Sequence, residues 1–245
     1  MSARRLRRCS KSGIRLHYQT QAAQILEHKG LAYGVLTQNG ETIPAELVAI
    51  AIGVTPRKEF ALACGLTCDR GIIVDQNMQT SQVDIFAAGD VIGTYQFTHA
   101  AGYEGAIVIS NAIFHLPKKA DYTNFPWCTY TDPELACIGM NEKMAMEAGI
   151  EYSVFSEVFR DNDRSLAEGE RVGKIKMLLG KNEKPLGVQI LGPQAGELLS
   201  EWVAVLNGKV KLSTLASAIH PYPTLGEINK RAAGAYLSPK IFSDR

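Results

Sequence analysis

Gly89 and Asp90 are the residues of this chain best suited to holding a small polar ligand. They follow Ile85-Phe86-Ala87-Ala88, a short apolar run that predicts a buried strand ending abruptly. Open α/β sheets bind ligands at the carboxyl ends of their strands. A glycine there lets the backbone approach a ligand closely, and the Asp90 carboxylate offers an acceptor to a sugar-like hydroxyl. A lone Gly-Asp pair after a strand also serves as a plain turn. The cysteines suggest no competing chemistry. Cys64 and Cys68 are separated by three residues, which suits neither a Cys-x-x-Cys redox motif nor a complete zinc site. With Cys9, Cys128 and Cys137 they make five, an odd number without a disulfide framework, so reduced structural thiols are expected. His17, His28, His99, His115 and His220 show no metal-ligand spacing, and no metal is expected.

The elements that must position Gly89 and Asp90 can be sketched from periodicity. Ile14 to Tyr18, Ala22 to Glu27 and Leu31 to Thr37 read as strands, with a turn at Lys29-Gly30. Gln38-Asn39-Gly40-Glu41 predicts a hairpin turn, since Asn-Gly tolerates positive φ at both central positions. Leu47 to Ile52 is a continuous apolar run, the pattern of a fully buried parallel strand. Glu59 to Cys64 reads as a short helix, Gly71 to Asp75 as a small strand, and 99–115 as a helix with Ala100, Ala101, Ile107, Val108, Ile113 and Phe114 on helical spacing. Lys118 to Asp121 and Pro126 mark a polar break and the expected domain boundary. Beyond it, Trp127 to Thr131, Tyr152 to Phe159, Gly173 to Leu179 and Leu186 to Leu191 read as strands. Asn141 to Ala148 (with Asn141 as N-cap), Ala195 to Leu206 and Leu225 to Ala235 read as helices. Hairpin signals at Gly169 and Lys181-Asn182 complete the pattern of an α+β domain, an antiparallel sheet with helices on one face.

With 46% hydrophobic and 21% charged residues in 245, the composition is that of a globular protein of one large or two modest domains. A net charge of +1 implies no strong attraction to nucleic acid or membranes. The one basic cluster, Arg4-Arg5-Leu6-Arg7-Arg8 with Lys11 and Arg15, reads as an exposed helix face or a frayed terminus. No apolar run approaches the ~20 residues of a membrane span, and no secretory leader is recognisable, so a cytoplasmic location is expected.

Three motifs in a fixed order add a family resemblance. They are Ala51-Ile52-Gly53-Val54-Thr55-Pro56, the string Thr80 to Asp90, and Thr131 to Gly139 with Pro221-Tyr222-Pro223-Thr224-Leu225-Gly226-Glu227 further on. From about residue 12 to about residue 237 the chain resembles the FAD-dependent pyridine nucleotide-disulfide oxidoreductases, in their mercuric reductase-like and dihydrolipoyl dehydrogenase-like branches. The resemblance implies an α/β remnant of two dinucleotide-binding domains followed by an α+β interface/dimerisation domain with an antiparallel sheet. The implied parts are a partial NAD(P)-binding domain at 1–57, the carboxyl-terminal part of an FAD-binding domain at 58–120, and an interface domain at 121–245. The implied cofactors are FAD and NAD(P)H, and the implied partners are a second copy in a homodimer and a small-molecule electron acceptor, with no nucleic acid and no membrane.

Residue roles follow from the same resemblance. Asp90 hydrogen-bonds the ribityl chain and Gly89 gives clearance. The helix starting at Thr98-His99-Ala100-Ala101 aims its N-terminus at the flavin edge where reduction builds negative charge; the alternative is a plain packing helix. Gly53 admits the nicotinamide close to the backbone, or merely ends a strand. Tyr222 stands where the dithiol enzymes carry a histidine base, and a phenol with a pKa near ~10 is a poor base at neutral pH. His220, two residues earlier, shares a face with Tyr222 in an extended segment and could replace that base, or could be an ordinary loop residue. Glu227 would orient either one, and dimerisation would bring this loop near the partner's flavin. The tail Ser238 to Arg245 lacks the vicinal cysteines that deliver mercury, so mercury is not the expected substrate. Also missing are Gly-x-Gly-x-x-Gly, a second glycine-rich turn and a Cys-x-x-x-x-Cys pair, so the chain looks like a carboxyl-terminal half that does not turn over alone. The alternatives are a non-catalytic dimerisation fragment that binds no flavin, and a flavin reductase acting on quinones or oxygen.

Overall fold

The computed structural model describes residues 13–208 and 210–237. The basic cluster at Arg4 to Lys11, Cys9 and the tail from Ser238 lie outside the described residues. The chain divides into two compact units, Met1–Asp121 and Tyr122–Arg245.

The first unit opens with a three-stranded antiparallel meander, β1 (Ala22–His28), β2 (Leu31–Thr37) and β3 (Thr42–Pro44), in the order β1-β2-β3. Lys29 and Gly30 both take positive φ, 52° and 80°, the signature of a two-residue mirror-image turn. The Asn39-Gly40 turn differs from expectation, because only Gly40 has positive φ (82°). Its amide donates to the Thr37 carbonyl at 3.0 Å, and the Glu41 amide donates to the Thr37 hydroxyl at 3.1 Å. The Thr37 side chain thus widens the connection into a longer loop. Ile14 to Tyr18 forms no strand.

The largest departure concerns Leu47 to Ile52, which is neither a strand nor buried. Leu47, Ile50 and Ile52 are 86%, 68% and 92% exposed, and no strand pairs with the run among the described residues. Apolar continuity specifies the surroundings a strand needs, whereas the strand itself exists only through hydrogen bonds to neighbours. Gly71 to Asp75 and Ile85 to Ala88 fall short for the same reason. They are reduced to isolated bridges, Cys68↔Ile72 and Gln79↔Phe86. Between these short pieces lies α1 (Glu59–Ala63), whose Ala61 packs with Leu66 and Ile72.

Helix α2 (Thr98–Ala112) is the longest element of this unit. It buries Ala100, Glu104, Ile107 and Ser110, one stripe at helical spacing, and Ile107 packs with Met78 and Ile92. It stops before the expected residue 115. The Asn111 side chain bonds the backbone of Lys118 in both directions, at 2.8 and 2.9 Å, and so turns the chain back.

The second unit is a five-stranded antiparallel sheet of order β4-β5-β8-β7-β6, from β4 (Trp127–Thr129), β5 (Glu134–Gly139), β6 (Ser153–Val158), β7 (Lys174–Leu179) and β8 (Pro185–Gly192). β5 is a strand absent from the sequence reading, in which this segment figured only as a motif. Ala136 pairs with Ile190, Ile138 with Val188, and these face the same way as Ile175 and Met177. Onto this face pack α5 (Ala195–Asn207), through Leu198, Leu199 and Trp202, and α7 (Glu227–Gly234), through Ile228 and Ala232. The helices do not all share one face. α3 (Glu142–Glu147) is tied to the opposite side by an ion pair from Glu142 to Lys176, at 2.7 Å. Asn141 caps α3 as expected, accepting from the Met144 amide at 3.0 Å. α4 (Asp163–Glu168) and α6 (Leu212–Ser217) complete the described helices and were not anticipated, being only about a turn and a half long.

Candidate functional site

In the first unit Gly89 is buried, with φ 81° and ψ −159°, and Asp90 is exposed at the start of a single 3-10 turn, Asp90–Ile92. That φ/ψ region is essentially restricted to glycine. A Cβ on Gly89 would also lie 3.2 Å from the Ala101 methyl of α2, so the turn and the helix meet with no room for a side chain. The Gly89 amide donates to Glu104 Oε2 at 2.6 Å.

Thr98 and His99 are exposed, Ala101 is half-buried and Ala100 is fully buried. No side chain caps the helix, and its first turn holds no acidic residue. The positive end of the helix dipole is thus opposed by no carboxylate of its own first turn, which suits an anion or electron-rich ring edge. The His99 ring lies 5.2 Å from the Phe97 ring and is tilted against it. Gln96 Nε2 is buried without a hydrogen-bond partner, a donor left over beside this turn. Gly53 is exposed with φ 91°, and open space surrounds it.

An acidic acceptor, a glycine without clearance for a side chain, an uncapped helix and a spare donor fit the ribityl and ring end of a flavin. The sequence contains no glycine-rich turn to cradle a pyrophosphate.

In the second unit the loop between α6 and α7 carries His220 and Tyr222, and Glu227 opens α7. Tyr222 is 70% exposed, and its hydroxyl donates to Asp163 Oδ2 at 3.0 Å. That hydrogen bond and the Asp163 charge, with a smaller effect from Glu227, push the phenol above its ordinary pKa. Tyr222 is therefore a protonated donor at neutral pH and is unsuited to act as a base.

His220 does not point out beside Tyr222. Its side chain is only 8% exposed, and its Nε2 lies 3.0 Å from Glu201 Oε1 of α5. Glu201 Oε2 accepts from Asn229 Nδ2 at 2.7 Å, and Asn229 Oδ1 accepts from the buried Trp202 indole at 2.9 Å. The chain His220–Glu201–Asn229–Trp202 thus pins the loop to the core. Glu227 orients neither His220 nor Tyr222 by hydrogen bonding. It accepts instead from the Thr224 amide at 3.4 Å. Asn162 adds a further anchor: its side-chain oxygen caps α4 through the Ser165 amide at 3.0 Å, and its amide donates to the Thr224 carbonyl at 3.1 Å. Glu201, Asn229, Asn162 and Asp163 were missed by sequence reasoning. Asn162 alone left a readable signal, an Asn ahead of an acidic first turn.

The four described cysteines are free thiols. Burial, helped by nearby Cys128 and opposed by Lys176, pushes the Cys137 thiol up to about 12, which makes it inert. Among the described residues no group of His, Cys, Asp and Glu could hold a metal ion, and no helix is long and apolar enough to cross a membrane.

Comparison with known proteins gives the family. Residues 1–105 match the family model for pyridine nucleotide-disulphide oxidoreductases, and residues 125–233 match that family's dimerisation domain. A dihydrolipoyl dehydrogenase of Geobacillus stearothermophilus is 31% identical over 96% of this chain and 51% of its own length. One from Bacillus subtilis (strain 168) is 33% identical over 98% of this chain and 53% of its own. Solved structures share the fold at 21% identity. LpdA from Mycobacterium tuberculosis superposes with a TM-score of 0.85 over 93% of this chain and 50% of that one. The HOCl-induced flavoprotein disulfide reductase RclA from Escherichia coli gives 0.83 over 94% and 54%. The chain spans about half the length of the curated relatives it matches. With two models of one family matched in succession along its length, the chain belongs to the pyridine nucleotide-disulphide oxidoreductase family.

Proposed function

We propose that this chain supplies the flavin-ribityl grip and the dimer-forming domain of an FAD-dependent NAD(P)H oxidoreductase, and that alone it does not turn over. The observation that carries the reading is the Gly89–Asp90 turn seated on α2, within the segment that matches the oxidoreductase family. In this reading residues 1–57 are the partial nicotinamide-binding part and 58–120 the flavin-binding part. FAD, when bound, would supply the electron relay from NAD(P)H to a small-molecule acceptor. Asp90 holds a ribityl hydroxyl, Gly89 keeps the approach open, and the N-terminus of α2 at Thr98 to Ala101 faces the electron-rich edge of the ring. Gly53 gives the nicotinamide clearance. Tyr222 faces the acceptor with its one O–H engaged by Asp163, and donates to the acceptor only by exchanging that bond, while His220 acts as an anchor. The second unit forms a homodimer in this reading, supported by its match to the dimerisation domain.

The test is flavin uptake by the purified chain, followed by fluorescence quenching alongside sedimentation. The expected result is weak binding, about equal for riboflavin and FAD because no pyrophosphate cradle is present, weakened about tenfold or more by Asp90→Ala. No oxidation of NAD(P)H is expected from the chain alone. A dimer that takes up neither flavin would sink this reading in favour of a non-catalytic dimerisation fragment.

A further inference from the structure

We infer that Glu104 is a positioning residue that sets the Gly89–Asp90 turn and thereby the direction of the Asp90 carboxyl; its bearing on a ligand rests on the flavin reading above. Glu104 is 0% exposed, on the face of α2 that also buries Ala100 and Ile107. A carboxyl group in such surroundings is expensive unless hydrogen bonds satisfy it, and an aliphatic side chain would fill the same space at no such cost. What Glu104 supplies that an aliphatic residue lacks is an acceptor for the Gly89 amide, at 2.6 Å.

The backbone at Gly89 needs that acceptor. Its φ of 81° and ψ of −159° lie where few contacts hold a chain in place, and a glycine there is otherwise free to relax. Two supports come from one helix. Ala101 sits beneath the Gly89 Cα, and Glu104, one turn along, fixes the peptide plane through its amide. That holds the Ala88–Gly89 peptide on entry to the turn, and the next peptides are held by their own bonds: the Ile92 amide bonds the Gly89 carbonyl at 3.0 Å, and the Gly93 amide bonds the Asp90 carbonyl at 3.1 Å. Asp90 is the first residue of this turn, so its Cα–Cβ direction depends on both peptides that flank Gly89, one held by Glu104 and the other by the Ile92 amide. Glu104 touches no candidate ligand itself.

The experiment uses the full chain, with Glu104→Gln and Glu104→Ala, read by nitrogen–proton correlation spectra and amide exchange. The parent should show the Gly89 amide proton well downfield, as a short bond to a carboxyl oxygen requires. Glu104→Gln should move that resonance upfield, because a neutral amide oxygen is a weaker acceptor. Glu104→Ala should accelerate exchange over 89–93 about tenfold or more while leaving the strands of the second unit unchanged. If Glu104→Ala fails to fold, the Gln variant decides alone. An unmoved Gly89 resonance in a folded Glu104→Gln protein overturns the inference. The flavin reading is separated by Asp90→Ala, which should weaken flavin uptake about tenfold or more while leaving the Gly89 resonance downfield. Flavin uptake indifferent to Asp90→Ala removes the flavin reading and leaves the Glu104 result standing.

Discussion

The two units of this chain contain apolar residues in similar supply and bury them very differently. In the second unit each strand of the five-stranded sheet has its partner within the chain, and Trp202, Phe159, Ile138, Met177 and Ile190 are all fully buried. In the first, Leu47, Ile50, Ile52, Val54 and Phe60 are each more than half exposed, while among the described residues only small clusters around Ala61 and Ile107 are closed. An antiparallel sheet built from hairpins closes its ladder locally. A parallel strand depends on neighbours supplied by distant crossovers. The second unit is therefore self-sufficient, whereas the first holds its Gly89–Asp90 turn by one helix rather than by a sheet.

The sharpest test of this contrast is Trp202→Ala. It removes the largest buried side chain of the second unit and the donor to Asn229, and should cost that unit about 3–5 kcal/mol in chemical denaturation. A loss below about 1 kcal/mol would mean the two units are less different than their burial suggests. Asn162→Ala removes both a helix cap and the tie to Thr224. It should cost about 1–2 kcal/mol and raise amide exchange in the Tyr222 loop, with unchanged exchange arguing against the anchor.

A smaller effect is expected at Asp75 in the first unit. Burial raises its pKa, but bonds from the Gln79 amide and from the Asn77 side chain and amide, with the Lys119 charge, outweigh it and hold the carboxyl below its ordinary 3.8. A depressed folded value stabilises above the unfolded pKa and is lost as pH falls through the folded one. The thermal stability of the first unit should therefore fall as pH drops below about 4, less so in Asp75→Asn. Smallest of all is the joint change Leu47→Ser, Ile50→Ser, Ile52→Ser. Exposed side chains contribute little, so the chain's stability should stay within about 0.5 kcal/mol while its binding of a hydrophobic dye falls. A large loss of stability would show that the run is buried in solution.

The elements legible in the sequence were those with local causes. Asn141 caps α3 because its side chain reaches the Met144 amide three residues on, and the apolar runs of β7 and β8 supply Ile175, Met177, Val188 and Ile190 to the face that α5 covers. Gly89 and Asp90 could be picked out because an apolar run ended on them. Glu104 could not, since a glutamate in a helix ordinarily faces water, and its partner lies fifteen residues away. His220, left open between a substitute base and an ordinary loop residue, also depended on a distant partner. Spacing put it on one face with Tyr222, but Glu201 on α5 draws the imidazole into the core.

Residue order alone determined the family, the antiparallel half and the candidate ligand turn, because these rest on short-range patterns and side-chain chemistry. The tertiary structure decided which apolar runs become strands, which histidine is an anchor, and which buried carboxyl holds the turn. Those outcomes depend on hydrogen-bond partners distant along the chain, and local sequence carries no record of where a distant partner will arrive.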